Sequence, residues 1–234
     1  MAFREWIIFR SNPGNLHGTH SPASRPHSFC SRPPKSGMTM AYDAAQVYAP
    51  EVDTFLLRDA ALAEVKSGDR VLEIGTGSGL IAAALEGQCG IVATDINPHA
   101  VRAAREKGVE VVRCDLAAGI RGPFDLILFN PPYLPTQKGE RIDDWLEYAL
   151  DGGTTGRATI EQFAADVARV LAPHGRILLI ISSLTGTREV FEFFQRHGFT
   201  SGIVRRQPVE DEELYVVRIV ADHSQERRDQ DVVR

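Results

Sequence analysis

The sequence predicts an α/β fold, a doubly wound and mostly parallel sheet of seven strands with one antiparallel strand near the C-terminus. Two observations support this prediction. Apolar runs of strand length alternate with stretches of helical spacing from residue 54 to residue 220. The last two strand-like runs follow each other without a helix between them, so one of them is expected to run antiparallel.

The first half of the pattern contains three helices and four strands. Apolar side chains recur at helical spacing over 54–65, where Asp53 or Thr54 is expected to cap the helix. Pro98 is typical of a first helical turn, where its missing N–H removes no hydrogen bond. The predicted helices are 54–65, 79–86 and 98–107, and the predicted strands are 70–74, 91–94, 110–113 and 124–129.

The second half contains two helices and three strands. Gly198 follows an apolar helical pattern directly, and glycine is the residue that most often ends a helix in the left-handed conformation. The predicted helices are 159–171 and 186–197, and the predicted strands are 176–181, 201–206 and 214–220.

Composition divides the chain into three parts. Residues 1–37 contain five Lys or Arg, one acid and five of the thirteen prolines, which predicts a disordered extension. Because Met38 and Met40 stand at the boundary, we interpret Met1 as lying upstream of the true start, with a basic arm as the alternative. Residues 38–221 are predicted to form a single domain of ordinary size, and residues 222–234 a flexible tail.

Charge and cysteine content restrict the function classes. The net charge is −5, and it becomes −9 without the first 37 residues, which argues against unaided binding of nucleic acid. Cys30, Cys89 and Cys114 form an odd and widely spaced set, which indicates a reducing compartment and no structural metal. No apolar run reaches the length of a membrane span, so we expect a cytoplasmic protein without a membrane partner.

The first functional motif is Asn130-Pro131-Pro132-Tyr133. It follows the strand 124–129, so it should lie where open α/β sheets bind ligands. The Asn130 carboxamide oxygen and the Pro131 carbonyl can accept both hydrogens of a planar NH2 group, and Tyr133 can stack on its flat face. The motif favours a pocket for an amide or the amino group of a base, with a Pro-rich turn as the structural alternative.

The second motif is a glycine-rich turn, Glu73-Ile74-Gly75-Thr76-Gly77-Ser78-Gly79, between the first strand and a helix. Glycines there let the backbone approach a ligand closely. Asp95 ends the next strand about twenty residues downstream, where a ribose-binding acid is expected. Asp115 follows the third strand and should meet an adenine. The combination predicts a nucleoside cofactor.

Together these motifs resemble those of class I S-adenosylmethionine-dependent methyltransferases, which implies a Rossmann-like sheet and S-adenosyl-L-methionine as the cofactor. The segments 47–57 and 152–157 are similar, more narrowly, to those of the release-factor glutamine methyltransferases. The closest branch is the short archaeal and eukaryotic type, which lacks the helical N-terminal domain of the bacterial enzymes. The resemblance runs from about residue 42 to residue 220.

The resemblance also assigns roles by position. It implies that Asp95 binds the ribose hydroxyls and that Asp115 and Leu116 flank the adenine. The whole expected cofactor site consists of Thr54, Glu73, Gly75, Gly77, Asp95, Asp115, Leu116 and Asn130. The expected catalytic residues are Asn130, Pro131 and Tyr133, and the expected substrate site consists of Asn130, Pro131, Pro132 and Tyr133.

Position 52 differs from the family pattern, and the segment 152–157 matches it without an evident role. The family usually reads Pro-x-Glu-Asp-Thr before the first helix, and Val52 stands here in the place of the Glu. Any role of that Glu is therefore unfilled unless Glu51 substitutes for it. The segment Gly152–Arg157 matches the family, but its residues alone indicate no role.

The resemblance implies methylation of the glutamine amide in the Gly-Gly-Gln motif of a translation release factor, with a small zinc-containing activator protein as a partner. Two alternatives remain. One is N-methylation of an exocyclic amino group in DNA or RNA, which the acidic body and the lack of a target-recognition domain disfavour. The other is a non-catalytic S-adenosylmethionine-binding subunit, which two intact motifs disfavour.

Overall fold

The computed structural model describes residues 42–136 and 144–222. The predicted N-terminal extension, residues 1–37, lies outside the described residues, as does the predicted tail beyond Asp222. Residues 38–41 at the predicted start of the domain lie outside them too. The domain boundaries therefore stay predictions.

Seven strands form one sheet in the order β3-β2-β1-β4-β5-β7-β6. β7 pairs antiparallel with both of its neighbours, and the other four strand pairs are parallel. The predicted sheet, with one antiparallel strand near the C-terminus, is confirmed. The strands are β1 (Arg70–Ile74), β2 (Gly90–Asp95), β3 (Val111–Arg113), β4 (Phe124–Phe129), β5 (Leu171–Ser182), β6 (Phe199–Pro208) and β7 (Glu213–Ala221).

Helices cover both faces of the sheet, so the central strands are buried on both sides. One face packs on α5 and α6, and the other packs on α1 and α2. Leu72 of β1 belongs to the first cluster and its neighbour Val71 to the second, as the alternation along a strand requires. The helices are α1 (Val52–Glu64), α2 (Leu80–Leu85), α3 (Pro98–Glu106), α4 (Glu147–Leu150), α5 (Ala158–Asp166) and α6 (Thr187–Arg196).

Two sequence-based details are wrong. The helix predicted over 159–171 ends at Asp166, and after a 3-10 turn β5 begins at Leu171, which pairs with Phe124 of β4. The apolar residues there fit both a helix and a strand, and pairing with β4 decides between them. The short helix α4 was not predicted, because its four residues are too few to show a period.

The predicted cap of α1 is also wrong. Glu51, rather than Asp53 or Thr54, is the N-cap residue, and its backbone N–H lies 3.4 Å from Thr54 Oγ1. Thr54 is the third helical residue. Asp53 points elsewhere, because its carboxylate accepts hydrogen bonds from the end of β4.

Arg176 of β5 joins three elements near the start of the parallel pairing between β4 and β5. Its guanidinium lies 2.7 Å from the Asp69 carboxylate and 3.4 Å from the Glu64 carboxylate, and it donates to the carbonyl oxygen of Asp125 at 3.0 Å. All three charged side chains are less than one-fifth exposed. The end of α1, the start of β1 and β4 are therefore tied to one cation.

We expect Arg176→Met to lower the free energy of unfolding by about 3 kcal/mol, because it leaves the partly buried Asp69 carboxylate without its cation. Glu64 would then be left with the half-exposed Arg218 at 3.6 Å. Urea unfolding at neutral pH measures the change. Arg188→Met is the matched control, since Arg188 is 81% exposed in its pair with Glu192 and should contribute less than about 0.5 kcal/mol. Equal stability of the two variants would contradict the role given to Arg176.

Candidate active site

A cavity of about 320 Å³ lies at the carboxyl ends of the parallel strands β1 to β4. Every residue that the sequence assigned to a site lines this one cavity, although their roles in binding and catalysis stay predictions. These residues are Thr54, Glu73, Gly75, Gly77, Asp95, Asp115, Leu116, Asn130, Pro131, Pro132 and Tyr133. The structure thus brings together residues that are up to 79 positions apart in the sequence.

The glycine-rich turn borders open space. Gly75 and Gly77 have φ angles of 65° and 53°, in the left-handed region. Among the described residues other than its two chain neighbours, no atom lies within 4 Å of the point where a Cβ of Gly77 would stand. The Gly77 N–H donates to Asp95 Oδ2 at 2.8 Å, which fixes the turn against the end of β2. A side chain at Gly77 would strain the backbone and project into this space.

Glu73 is buried beneath this turn. Its Oε2 accepts hydrogen bonds from Thr76 Oγ1 at 2.7 Å and from the Ala82 N–H at 3.0 Å. Burial nevertheless raises the pKa of Glu73 to about 8. The carboxyl group is therefore mostly protonated at neutral pH, and a cation bound beside it would favour the ionised form.

Asp95 occupies the junction of β2 and α3. Its Oδ1 accepts from the Asn97 N–H at 2.8 Å, and its Oδ2 accepts from Gly77. Burial raises the pKa of Asp95 as well. Each carboxylate oxygen has a second lone pair, so a diol that reaches Asp95 in the cavity can still donate to it.

Asp115 and Leu116 form the wall beyond β3. Among the described residues other than glycine, Leu116 alone has a positive φ, 46°. The Leu116 carbonyl accepts a hydrogen bond from the buried Thr94 Oγ1 at 2.9 Å, and Gln162 Nε2 donates to Asp115 Oδ2 at 3.2 Å. A leucine in this conformation is strained, and such strain concentrates at ligand sites.

Asn130 presents an acceptor without a donor. Its Nδ2 donates to Asp53 Oδ2 at 3.0 Å, which fixes the plane of the carboxamide. Its Oδ1 is buried and has no hydrogen-bond partner within residues 42–136 and 144–222. Such an orphaned acceptor costs about 1–3 kcal/mol, which a donor on a bound ligand would recover.

Asp53 is the functional residue that sequence reasoning missed. It is 3% exposed, and its Oδ2 also accepts from the hydroxyls of Tyr48 and Tyr133, each at 3.3 Å. Burial and the Asp53 carboxylate raise the pKa of Tyr133, so its hydroxyl stays a donor. Asp53 stands beside Thr54 in the segment that resembles the family, and this was the available signal. Its contact with Asn130, 77 residues away, leaves no local pattern.

The replacement at Val52 leaves the cavity intact. Val52 is 47% exposed, and neither it nor Glu51 is among the residues that line the cavity. The side chain in the place of the family's Glu therefore faces solvent, and the neighbouring Asp53 and Thr54 keep their positions in the wall.

The cavity wall is acidic. Asp53, Glu73, Asp95 and Asp115 line it, and no Lys, Arg or His does among the described residues. This set fits S-adenosylmethionine, which carries a positive sulfonium, an ammonium group and the two hydroxyls of a ribose. Within the described ranges, no three His, Cys, Asp or Glu side chains cluster in a way that could hold a metal ion.

Comparison with known proteins identifies the family. The model of the methyltransferase small domain matches residues 53–145. A protein of Methanocaldococcus jannaschii named "Putative protein N5-glutamine methyltransferase" is 42% identical over 180 residues, which are 74% of this chain and 90% of that protein. This chain belongs to the release-factor glutamine methyltransferase family. The predicted family, the class I fold and the dependence on S-adenosylmethionine are confirmed.

Two further relatives agree. The release factor glutamine methyltransferase of Deinococcus radiodurans is 35% identical over 158 residues, which are 61% of this chain and 56% of that enzyme. The solved Mtq2-Trm112 complex of E. cuniculi, described as methylating the eRF1 translation termination factor, matches with a TM-score of 0.65. It is 28% identical, and the match covers 76% of this chain and 99% of the solved one.

Among the helices within residues 42–136 and 144–222, none has both the length and the apolar character that a membrane span needs.

We expect Glu73→Gln to remove a pH dependence from the stability of the cofactor-free protein. Folded Glu73 keeps its proton up to a pH of about 8, whereas the unfolded side chain loses it above about 4.5. The wild-type free energy of unfolding should therefore fall between these values, by at most about 1.4 kcal/mol per pH unit from this group. The variant should lack this fall, because Gln mimics the protonated acid.

Urea unfolding of both proteins from pH 5 to pH 9 measures the difference. It should grow in favour of the variant as the pH rises to about 8, and then level off. A difference that is the same at every pH would show that folded Glu73 has an ordinary pKa.

Proposed function

We propose that this protein transfers the methyl group of S-adenosylmethionine to the glutamine side-chain amide of the Gly-Gly-Gln motif in a translation release factor. The observation that carries the proposal is the buried Asn130 Oδ1, an acceptor without a donor on the cavity wall. Among the described residues, none donates a backbone hydrogen bond to the Pro131 carbonyl either. Two adjacent acceptors suit the two hydrogens of an amide NH2 group.

The chemistry requires that a weak nucleophile be oriented. An amide nitrogen reacts poorly because its lone pair is delocalised into the carbonyl group. When the Asn130 oxygen and the Pro131 carbonyl accept its two hydrogens, electron density returns to the nitrogen and its plane is fixed. Bound S-adenosylmethionine supplies a methyl group on a positively charged sulfur. Orientation of two reactants can contribute about 7 to 11 kcal/mol, so alignment supplies much of the rate.

In this scheme the amide nitrogen loses a proton only after it has received the methyl group. The nitrogen keeps both of its hydrogens, bonded to the Asn130 and Pro131 oxygens, until the N–CH3 bond has formed and the S–CH3 bond has broken, so no ionised general base has to act first. The methylated nitrogen then releases one proton to water, and the leaving sulfur is a neutral thioether. Tyr133 contributes a fixed wall, because its hydroxyl is committed to Asp53 at 3.3 Å. Its raised pKa keeps the hydroxyl neutral.

The charge of the cavity supports a protein substrate over a nucleic acid. A flipped base would bring its phosphates to the rim, where Lys and Arg normally neutralise them. The described wall offers four acids and no basic side chain, and Arg113, which stands over the Trp145 ring beside it, already donates to the Ile96 carbonyl. At the acceptor end, Leu134 and Tyr148 are large apolar side chains that remain exposed, and Tyr148 stacks on Trp145. Such a surface suits a peptide loop.

We extend the proposal to a partner and a compartment. The Mtq2 relative was solved as a complex with Trm112, which supports a small partner subunit for this chain. That this partner contains zinc is our proposal, as is a cytoplasmic location, which follows from a translation factor as substrate. Cys89 and Cys114 are unpaired, as a reducing compartment would leave them.

Transfer of labelled methyl by the full chain tests the proposal. We expect label on the Gly-Gly-Gln glutamine of a class 1 release factor, and none when that glutamine is replaced. Asn130→Ala should lower kcat by about 100-fold, because the amide loses an acceptor that aligns it. Its Kd for S-adenosylmethionine, measured by calorimetry, should change by less than about threefold. Each reaction is run with and without the activator candidate.

Nucleic acid is offered in a parallel reaction. Label on nucleic acid alone would replace the proposal with the base-amine alternative. Cofactor binding without transfer to either substrate, with the activator present, would favour the non-catalytic alternative. Loss of cofactor binding in Asn130→Ala would instead give Asn130 a cofactor or folding role.

We expect Asp53→Asn to lower kcat by about 100-fold as well. Asp53 Oδ2 accepts from Asn130, Tyr48 and Tyr133, and Oδ1 accepts from the Thr54 N–H at 2.6 Å, so an amide NH2 group in either position would face a donor. The Asn130 carboxamide would then lose its fixed plane. Tyr48→Phe is the control, since it removes one donor and leaves the Asp53–Asn130 bond. Its kcat should stay within about threefold of wild type. Equal losses in both variants would contradict the role of Asp53.

A further inference from the structure

We infer that the glycine segment, Gly152–Arg157, positions the acceptor loop, residues 130–134, for methyl transfer. Gly156 and Arg157 are its positioning residues. The inference rests on the proposed function of the acceptor loop. It gives a role to the one motif that the cofactor and acceptor sites leave unexplained.

Gly156 touches the backbone of the acceptor loop. Its φ is 69°, and a Cβ there would collide with the Tyr133 carbonyl oxygen and lie 3.2 Å from the Tyr133 carbonyl carbon. Any side chain at Gly156 would thus push on the peptide group of Tyr133. Only glycine combines this conformation with so close an approach.

Backbone hydrogen bonds join the two segments beside this contact. The Gly152 N–H donates to the Leu134 carbonyl at 3.1 Å, and the Thr136 N–H donates to the Gly153 carbonyl at 3.0 Å. Leu134 and Asp151 form a parallel bridge. A Cβ at Gly152 would lie 2.7 Å from the Leu134 oxygen, so this side of the contact requires glycine too.

Arg157 fixes the other side of the Tyr133 carbonyl. Its Nη1 donates to the Thr185 carbonyl at 2.6 Å, and Thr185 Oγ1 donates to the Tyr133 carbonyl at 3.2 Å. Thr185 is fully buried in the 3-10 turn that follows β5. Arg157 therefore fixes Thr185, which in turn fixes the acceptor loop at the Tyr133 carbonyl.

The contacts divide the carbonyl groups of the acceptor loop into two sets. Those of Tyr133 and Leu134 accept hydrogen bonds from Thr185 and Gly152, behind the loop. That of Pro131 receives no backbone donor within the described ranges. Gly152 thus occupies the Leu134 carbonyl, Thr185 held by Arg157 occupies the Tyr133 carbonyl, and the Pro131 carbonyl is left for the amide.

Gly156→Ala compared with Gly108→Ala tests the inference. Gly108 has a φ of 85°, and apart from its chain neighbours no atom of the described part of the chain lies within 4 Å of its Cβ position. The control therefore imposes similar backbone strain without a collision. We expect Gly156→Ala to lower kcat by about 100-fold, as a displacement near 1 Å can do. Cofactor Kd should match that of Gly108→Ala, whose kcat should equal that of wild type. The thermal midpoint should be lower in Gly156→Ala, because only its Cβ collides with backbone.

Arg157→Lys and Arg157→Ala provide the second comparison. Lysine keeps a donor that can reach the Thr185 carbonyl, so it should retain kcat within about tenfold of wild type, whereas alanine should lose about 100-fold. Amide hydrogen exchange of the peptide over 130–136 gives a readout without substrate. Exchange there should be faster in Gly156→Ala and Arg157→Ala than in Gly108→Ala.

Two results would overturn the inference. One is a Gly156→Ala variant with the kcat and exchange of Gly108→Ala, and the other is a parallel loss of cofactor affinity and kcat, which would mean general unfolding. If the wild type transfers no methyl to the release factor, the proposed function fails. Hydrogen exchange then decides alone whether the glycine segment holds the acceptor loop.

Discussion

The parallel pairing of β1 with both β2 and β4 is the constraint on which the site depends. Ile74, the last residue of β1, is in register with Thr94 of β2 and with Phe129 of β4. The next residues along these three strands are Gly75, Asp95 and Asn130. Main-chain hydrogen bonds therefore place a turn, a carboxylate and a carboxamide side by side at the ends of the three strands. This alignment does not depend on side-chain contacts. The cavity is a product of strand register.

Within that frame, the acids of the cavity differ in how the protein treats them. Asp53 accepts hydrogen bonds from Thr54, Tyr48 and Asn130, and in the proposed mechanism it acts on the acceptor amide through Asn130. Asp95 is divided between the glycine turn and the start of α3. Glu73 is kept largely neutral by burial. The wall therefore favours a positively charged ligand, because a cation beside these acids would stabilise their ionised forms.

Local sequence determined the strands, the glycine turn and the strand-end side chains, because period, turn chemistry and position at a strand end are all local properties. Local sequence did not predict those features that depend on a contact between residues far apart in the chain. Leu171 leaves the predicted helix because Phe124 pairs with it, and Asp53 leaves the predicted cap because Asn130 reaches it. The glycine segment had no visible role for the same reason. Its glycines are required by carbonyl groups that lie some twenty residues earlier in the chain.

The position of β7 has a consequence for synthesis on the ribosome. β7 is the last strand of the sheet in the sequence, yet it lies between β5 and β6. The outer edge of β5, with the fully buried run Ile177–Ile181, therefore stays unpaired until the β6–β7 hairpin has emerged. All strands that build the cavity can form earlier. A nascent chain stalled before residue 213 would carry a nearly finished cavity beside a long apolar edge open to other chains.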